Sequence, residues 1–322
     1  MGKKGKRSAK AGGEAAKQGP GKARRERAAA FREIDVRLEA LVEKLEDEMK
    51  DVEFFGPLIP REECPICFVP MPRRDGEISY KACCGKYICE ACNTHSIKTA
   101  MMDKQRLQWQ CPFCRSDSVI WNDEEAIDAI QKRVHANDSN AMLYLAGDLE
   151  DGSPLFEKDD IAAVRLLLQA AGSGCPKAIA GLADRCYEAG TKSGAVLCQG
   201  MPKNLKYTAH ALRLATAAAK KGYTHAYSLL GAMLKDTTDT LLKNMLHVQP
   251  GGSGLAAKCF QFAARDGDKS GMECLEKLNN EEGFVTEVDI NDVKRQYKEA
   301  LMMEWSEERE KENPDSYKEL SL

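Results

Sequence analysis

The chain has 322 residues, 43% of them hydrophobic and 30% charged, with a formal net charge of -3. That length suffices for two or three units with cores of their own, or for one elongated repeat array. No apolar run approaches the roughly 18 residues needed to cross a bilayer, so a membrane-spanning role is not expected.

The modest net charge averages two opposite ends: Lys and Arg dominate up to Arg27, Glu and Asp from Glu281 onward. The start, "MGKKGKRSAK", carries positive charge with no apolar segment behind it, unlike a secretory leader. Lys6 stands where the myristoylation pattern needs Ser or Thr. The expectation is a cytoplasmic and/or nuclear protein whose residues 1–27 form a basic disordered arm. "KKGKR" and "KARRER" leave nuclear import or nucleic-acid contact as the lesser alternative.

Residues 28–55 hold Phe31, Ile34, Leu38, Leu41, Leu45, Met49 and Val52 at steps of three and four, with charged residues between them. This predicts one amphipathic helix. Its seam is long enough for a short coiled coil, so it admits a homodimer through residues 31–52 as well as packing on the chain's own next unit. "FFGPLIP" then breaks the pattern at a domain boundary.

A cysteine-rich module follows over residues 60–121. Eight of the thirteen cysteines lie between Cys64 and Cys114: "CPIC", fifteen residues, "CC", four residues, "CEAC", eighteen residues, "CPFC". In a reducing compartment such clusters are metal or redox sites before they are disulfides. Paired thiolates on short turns suit zinc at about 2.3 Å, and eight ligands make two closed, structural Zn2+ sites with no open position for water. Lys81, Lys86 and Arg115 are candidates to offset the thiolate charge.

After Trp121 the composition turns to Ala, Leu, Gly and Lys. Three endings repeat: "LLLQAAGSG" at 166–174, "LATAAAKKG" at 214–222 and "CFQFAARDG" at 259–267. Similar openings recur as well: Ala141 with Leu145, Ala146 and Gly147; Ala178 with Leu182 and Ala183; Ala226 with Leu230 and Gly231. Small residues let stacked helix pairs approach while Leu fills the layer between them, so residues 123–280 read as helix-pair repeats. "GGSG" at 251–254 reads as a flexible link, and cysteines 175, 186, 198, 259 and 274 as packed small hydrophobes. Ile290, Val293, Tyr297, Leu301 and Trp305 predict a C-terminal capping helix over 284–311, N-capped by Asp289; an acidic tail, 312–322, completes the chain. The fold class expected is therefore mainly α: a small zinc-stabilised α+β module followed by an α-solenoid of helix-pair repeats.

Two resemblances add to this reading. The repeat stretches "AIAGLADRCYEAG" and "YTAHALRLATAAAKKG" resemble Sel-1-like repeats of the tetratricopeptide type, with a Tyr-x-x-Gly turn between helices; "KDTTDTLLKNMLHVQPGGSG" departs from that pattern. The cysteine order and gaps resemble the RING family, and the combination is similar to algal proteins joining "CCGK-x-I-C" RINGs to Sel-1-like repeats. The RING resemblance implies an interleaved arrangement: Cys64, Cys67, Cys89 and Cys92 on one zinc, Cys83, Cys84, Cys111 and Cys114 on the other. Where most RINGs carry His two residues after the third ligand, this chain has Lys86. An all-cysteine variant with both Cys83 and Cys84 as ligands is therefore expected, eased by Gly85, with His95 the reserve ligand.

The resemblance further implies a ubiquitin ligase with no nucleophile of its own. Ile66 and Pro112 would contact a ubiquitin-conjugating enzyme, and Arg115 would bridge that enzyme and ubiquitin through its planar donor fork. The repeats would recruit a protein substrate or adaptor. A non-enzymatic zinc-binding scaffold is the alternative, and nucleic-acid binding through the basic arm is the weakest of the three, for want of a base-stacking motif. No catalytic triad, H-E-x-x-H or phosphate-binding loop is present.

Overall fold

A computed structural model of the chain describes residues 20–56, 60–73, 77–102, 110–116, 123–191, 205–236, 252–282 and 287–312. Residues 1–19, 192–204, 237–251 and 313–322 lie outside these, and with them most of the basic arm, the stretched loop of the middle repeat with Cys198, most of the departing stretch at 235–254 and all of the acidic tail past Glu312.

The architecture is mainly α. Helix α1 (Pro20–Met49) precedes a two-stranded antiparallel hairpin, β1 (Ile78–Lys81) and β2 (Lys86–Cys89), which leads into α2 (Glu90–Met102). The solenoid follows as α3 (Asp123–His135), α4 (Ser139–Asp151), α5 (Asp160–Gly172), α6 (Pro176–Thr191), α7 (Leu205–Lys220), α8 (His225–Asp236), α9 (Gly252–Arg265) and α10 (Lys269–Glu282). Helix α11 (Glu287–Glu304) packs on α9, and short α12 (Glu307–Glu312) returns to α2 of the cysteine module.

The repeat is written in its turns. Helices α5, α7 and α9 end on Gly174, Gly222 and Gly267, with φ of +87°, +83° and +85°. At each, two N–H groups recover orphan carbonyls: Gly174 and Cys175 bond Ala171 and Ala170, Gly222 and Tyr223 bond Ala219 and Ala218, Gly267 and Asp268 bond Ala264 and Ala263. Four residues beyond each glycine sits a small residue, Ala178, Ala226 or Gly271. The two alanines are fully buried, and a Cβ on Gly271 would lie 2.8 Å from that of Ala263. Helix α3 ends the same way with Asn137 at φ +62°, followed by Asp138 and, four residues on, buried Ala141. It is therefore a further closing helix, one that the glycine pattern hid.

The structure departs from several sequence expectations, the first at residues 20–27, expected as part of the disordered arm but helical within α1. The Tyr187–Gly190 stretch is helical rather than a turn; glycine is required there because a Cβ would lie 2.8 Å from the backbone nitrogen of Thr208 on α7. The Gly252–Gly254 part of "GGSG" is helical rather than a link, since α9 begins at Gly252 and the burial of Ala256, Ala257 and Phe260 carries its first turns. Helix α11 starts at Glu287, so Asp289 lies inside its first turn; Ile290, Val293, Tyr297 and Leu301 are buried while Trp305, past the helix end, is 41% exposed.

The α1 seam is covered by this chain's own repeats. Ile34, Leu38, Leu41, Val42 and Leu45 belong to the main core, packed on α5 and α7. Ion pairs flank the contact: Glu33 with Arg165 at 2.5 Å, Glu39 with Lys206 at 3.2 Å, Glu46 with Arg213 at 3.0 Å and Glu48 with Lys221 at 3.1 Å. Phe54 and Phe55 continue the seam onto Tyr227 of α8 and Phe262 of α9. A homodimer through residues 31–52 would need this same face, and the burial of the seam leaves none for it; only Val52, past the helix end, is exposed.

Candidate metal centre

Residues 60–73 and 110–116 each contain a C-x-x-C turn built alike. In the first, the Phe68 N–H donates to the Cys64 carbonyl at 2.8 Å and the Cys64 N–H to the Val69 carbonyl at 2.9 Å. In the second, the Arg115 N–H donates to the Cys111 carbonyl at 2.9 Å and the Cys111 N–H to the Ser116 carbonyl at 3.0 Å. The residue after the second cysteine is left-handed in both, with φ +59° at Phe68 and +56° at Arg115.

Cys83 and Cys84 occupy the tip of the β1–β2 hairpin, where Gly85 at φ +69° reverses the chain and the N–H groups of Cys84 and Gly85 both reach the Lys81 carbonyl. A Cβ at Gly85 would collide with the Arg133 guanidinium and lie 2.9 Å from the Asp138 carboxylate. Cys89 closes β2 and Cys92 lies in the first turn of α2.

These elements collect the eight sulfurs into two sets: Cys64, Cys67, Cys89 and Cys92; and Cys83, Cys84, Cys111 and Cys114. Within each set the ligand atoms all lie within 4.8 Å of one another, and each set could hold a metal ion. A tetrahedron with 2.3 Å metal–sulfur bonds has edges of about 3.8 Å. The Sγ atoms of Cys67 and Cys89 are 3.9 Å apart, those of Cys84 and Cys111 3.8 Å. His95 is exposed on α2, outside both sets.

The module's own core is Cys64, Ile88, Cys89 and Ala91, with Cys67, Met71, Cys92 and Phe113 against it. Half of these residues are the cysteines themselves. So small an apolar cluster supplies little folding energy, and an ion held by the cysteines would add to it.

Crowding splits the ionisation of the sulfurs. The hydrogen bond from Cys89 draws the Cys64 thiol down to about 4, and that same pairing drives Cys89 far up. Burial pushes Cys92 up to about 12 and raises Cys83 and Cys84. Burial opposes ionisation of Cys114 too, but the Ser116 hydroxyl and N–H bring it down to about 7. Metal binding here must displace protons.

Of the three cations expected near the thiolates, Lys81 is half-buried and bonded to Asn93, with its charge facing Cys111, Cys83 and Cys84. Lys86 points to solvent, although its N–H donates to the Cys84 sulfur. Arg115 is exposed, as are Pro112 and, at 36%, Ile66.

The partners that the sequence did not reveal come from afar. Arg133 of α3 donates to the Ala82 carbonyl at 2.7 Å and the Cys83 carbonyl at 3.3 Å, and pairs with Asp138, the N-cap of α4, which also accepts from the Tyr80 hydroxyl at 2.9 Å. Buried Arg61 pairs with Glu304 and Asp266, and Arg73 reaches Asp266 at 2.6 Å. Arg309 of α12, 3% exposed, donates to the carbonyls of Pro70 at 2.7 Å and Val69 at 3.3 Å, and to Cys67 Sγ at 3.6 Å. Residues 307–312, which read in sequence as the C-terminal helix running into an acidic tail, thus form a separate docked helix. A lone arginine in "EEREKE" carries no signal of burial.

No family model matches the chain, and no curated protein matches it. Among solved structures it is similar to c5321, a protective antigen present in uropathogenic Escherichia coli strains that displays an SLR fold. The identity is 15%, the TM-score 0.34, and the match covers 62% of this chain and 44% of that one. By its own helix order and packing, the described molecule is a helical-repeat protein carrying two four-cysteine sets, each able to hold a metal ion.

Proposed function

We propose that the two cysteine sets hold zinc in a RING-type cross-brace, and that the chain is a ubiquitin ligase of the cytoplasm and/or nucleus. The observation that carries this reading is the interleaving: the first cysteine pair groups with the third, and the second with the fourth. A closed tetrahedron of thiolates leaves zinc no catalytic position, so the module acts by binding. Ile66, Pro112 and Arg115 are all exposed and available to a ubiquitin-loaded conjugating enzyme. Because α1 covers α5 and α7, recruitment of a protein substrate or adaptor falls to the opening helices α4, α6 and α8.

The test is autoubiquitination with a panel of conjugating enzymes, comparing wild type with Ile66→Ala and Arg115→Ala after two zinc ions per chain are measured in each. Chains formed by wild type and lost in the zinc-replete variants support the ligase. A folded, zinc-replete wild type inactive with every enzyme favours a second reading, a non-enzymatic scaffold. The attachment of the module to the repeats through Arg61, Arg73, Arg133 and Arg309 suits that role.

A further inference from the structure

The two cysteine sets differ in what surrounds them. The second opens outward: Cys114 is exposed, and its nearest outer partner is the Ser116 hydroxyl, 3.1 Å from the sulfur. The first is closed by a residue more than 200 positions downstream, Arg309, whose guanidinium spans the Val69 and Pro70 carbonyls, the Glu304 carbonyl at 2.7 Å and Cys67 Sγ at 3.6 Å. Helix α12, which carries it, packs on α2, the helix that holds Cys92, and Lys98 of α2 pairs with Glu312 at 2.5 Å.

We infer that Arg309 is a positioning residue of the first metal centre: it makes retention of that ion depend on the docked C-terminal helix, while the second centre does without it. Four thiolates around a divalent cation carry two surplus negative charges, and a buried guanidinium donating to one sulfur offsets part of them. Its other N–H groups hold the carbonyls of Val69 and Pro70, just after the first cysteine pair, so the turn that aims Cys64 and Cys67 is fixed by the same side chain. This inference rests on the cysteine sets holding metal and not on the ligase reading; metal content, measured first, separates the two.

The experiment uses the full chain loaded with zinc, a chromophoric chelator to follow release, and Cys114→Ser to assign the phase belonging to the second centre. Two phases are expected. Arg309→Met speeds the phase of the first centre about 10- to 100-fold and leaves the other unmoved, and Arg309→Lys restores part of the loss. With cobalt(II) in place of zinc, Arg309→Met shifts the sulfur-to-cobalt charge-transfer band of the first centre to lower energy, because a thiolate deprived of its donor is easier to oxidise. Unchanged release with an unchanged band overturns the inference, as does equal acceleration of both phases. Should Arg309→Met not fold, Arg309→Lys decides alone: wild-type release and band position overturn it.

Discussion

Leu38 is the cleanest probe of how α1 is used. It is 1% exposed in the core between α1 and the repeats, while Val36, two residues earlier, is 69% exposed on the outer face. Leu38→Ala deletes three buried carbons, each worth about 0.8 kcal/mol, and the cavity left behind raises the cost to about 3–5 kcal/mol. Val36→Ala stays within about 0.5 kcal/mol of wild type. Urea unfolding of both variants at several protein concentrations measures this. Intramolecular packing requires a midpoint independent of concentration and a large loss at Leu38 alone. A midpoint that climbs with concentration, or a Leu38→Ala variant that loses under about 1 kcal/mol and only changes from dimer to monomer, refutes the reasoning.

The turn glycines separate backbone strain from crowding. A Cβ on Gly174 would meet no atom within 4 Å, so Gly174→Ala costs only the left-handed penalty of about 1–2 kcal/mol. Gly267→Ala costs more, because its Cβ would lie 2.9 Å from the Arg61 guanidinium; thermal melts rank the two. Asp268 gives a pH signature. Burial raises its carboxyl, yet the bonds from His225, Ser228 and the Gly271 N–H hold it below its ordinary value. A carboxylate lowered in the fold contributes stability that is complete above its unfolded pKa and lost as pH falls through the folded value. Asp268→Asn, which keeps an N-cap of similar shape, therefore lowers stability at neutral pH and flattens the decline below about pH 4; unfolding midpoints across an acid series show it.

What the sequence disclosed is what local chemistry controls. The C-x-x-C turns, the hairpin tip and the Gly-ended closing helices each depend on residues a few positions apart, so their spacing was readable. The α11 seam of Ile290, Val293, Tyr297 and Leu301 was readable for the same reason. Periodicity showed that α1 hides one face but not what hides it, since a second copy and α5 with α7 demand the same pattern. Glycine suggested a link at 251–254 and a turn at 187–190, where long-range packing imposes helix from Gly252 onward and through 187–190. Asn137 concealed one repeat boundary by taking the place of glycine. The arginines that fasten the cysteine module lie 50 to 243 residues from their partners across the attachment, and burial of a charge is decided by those partners alone.

Those fastenings bear on function more than any single ligand. The first turn is held by Arg309, its flanks by Arg61 and Arg73 to Asp266, and the hairpin tip by Arg133 and Tyr80 at Asp138. A module attached at both ends of the repeats holds whatever it binds at a set position relative to whatever the repeats bind, which raises the effective concentration of one for the other. A module on a flexible tether would sample many separations instead. Asp266 tests the difference: its side chain is 8% exposed and pairs with both Arg61 and Arg73, so Asp266→Ala leaves buried Arg61 to Glu304 and takes this carboxylate from partly buried Arg73, at a cost of about 3 kcal/mol. If the two sets hold zinc as proposed, limited proteolysis should then cut between module and repeats with the zinc content unchanged. On the ligase reading, autoubiquitination persists in this variant and transfer to a protein held by the repeats falls. An equal fall in both, with zinc retained, would mean that the attachment shapes the module itself rather than its placement.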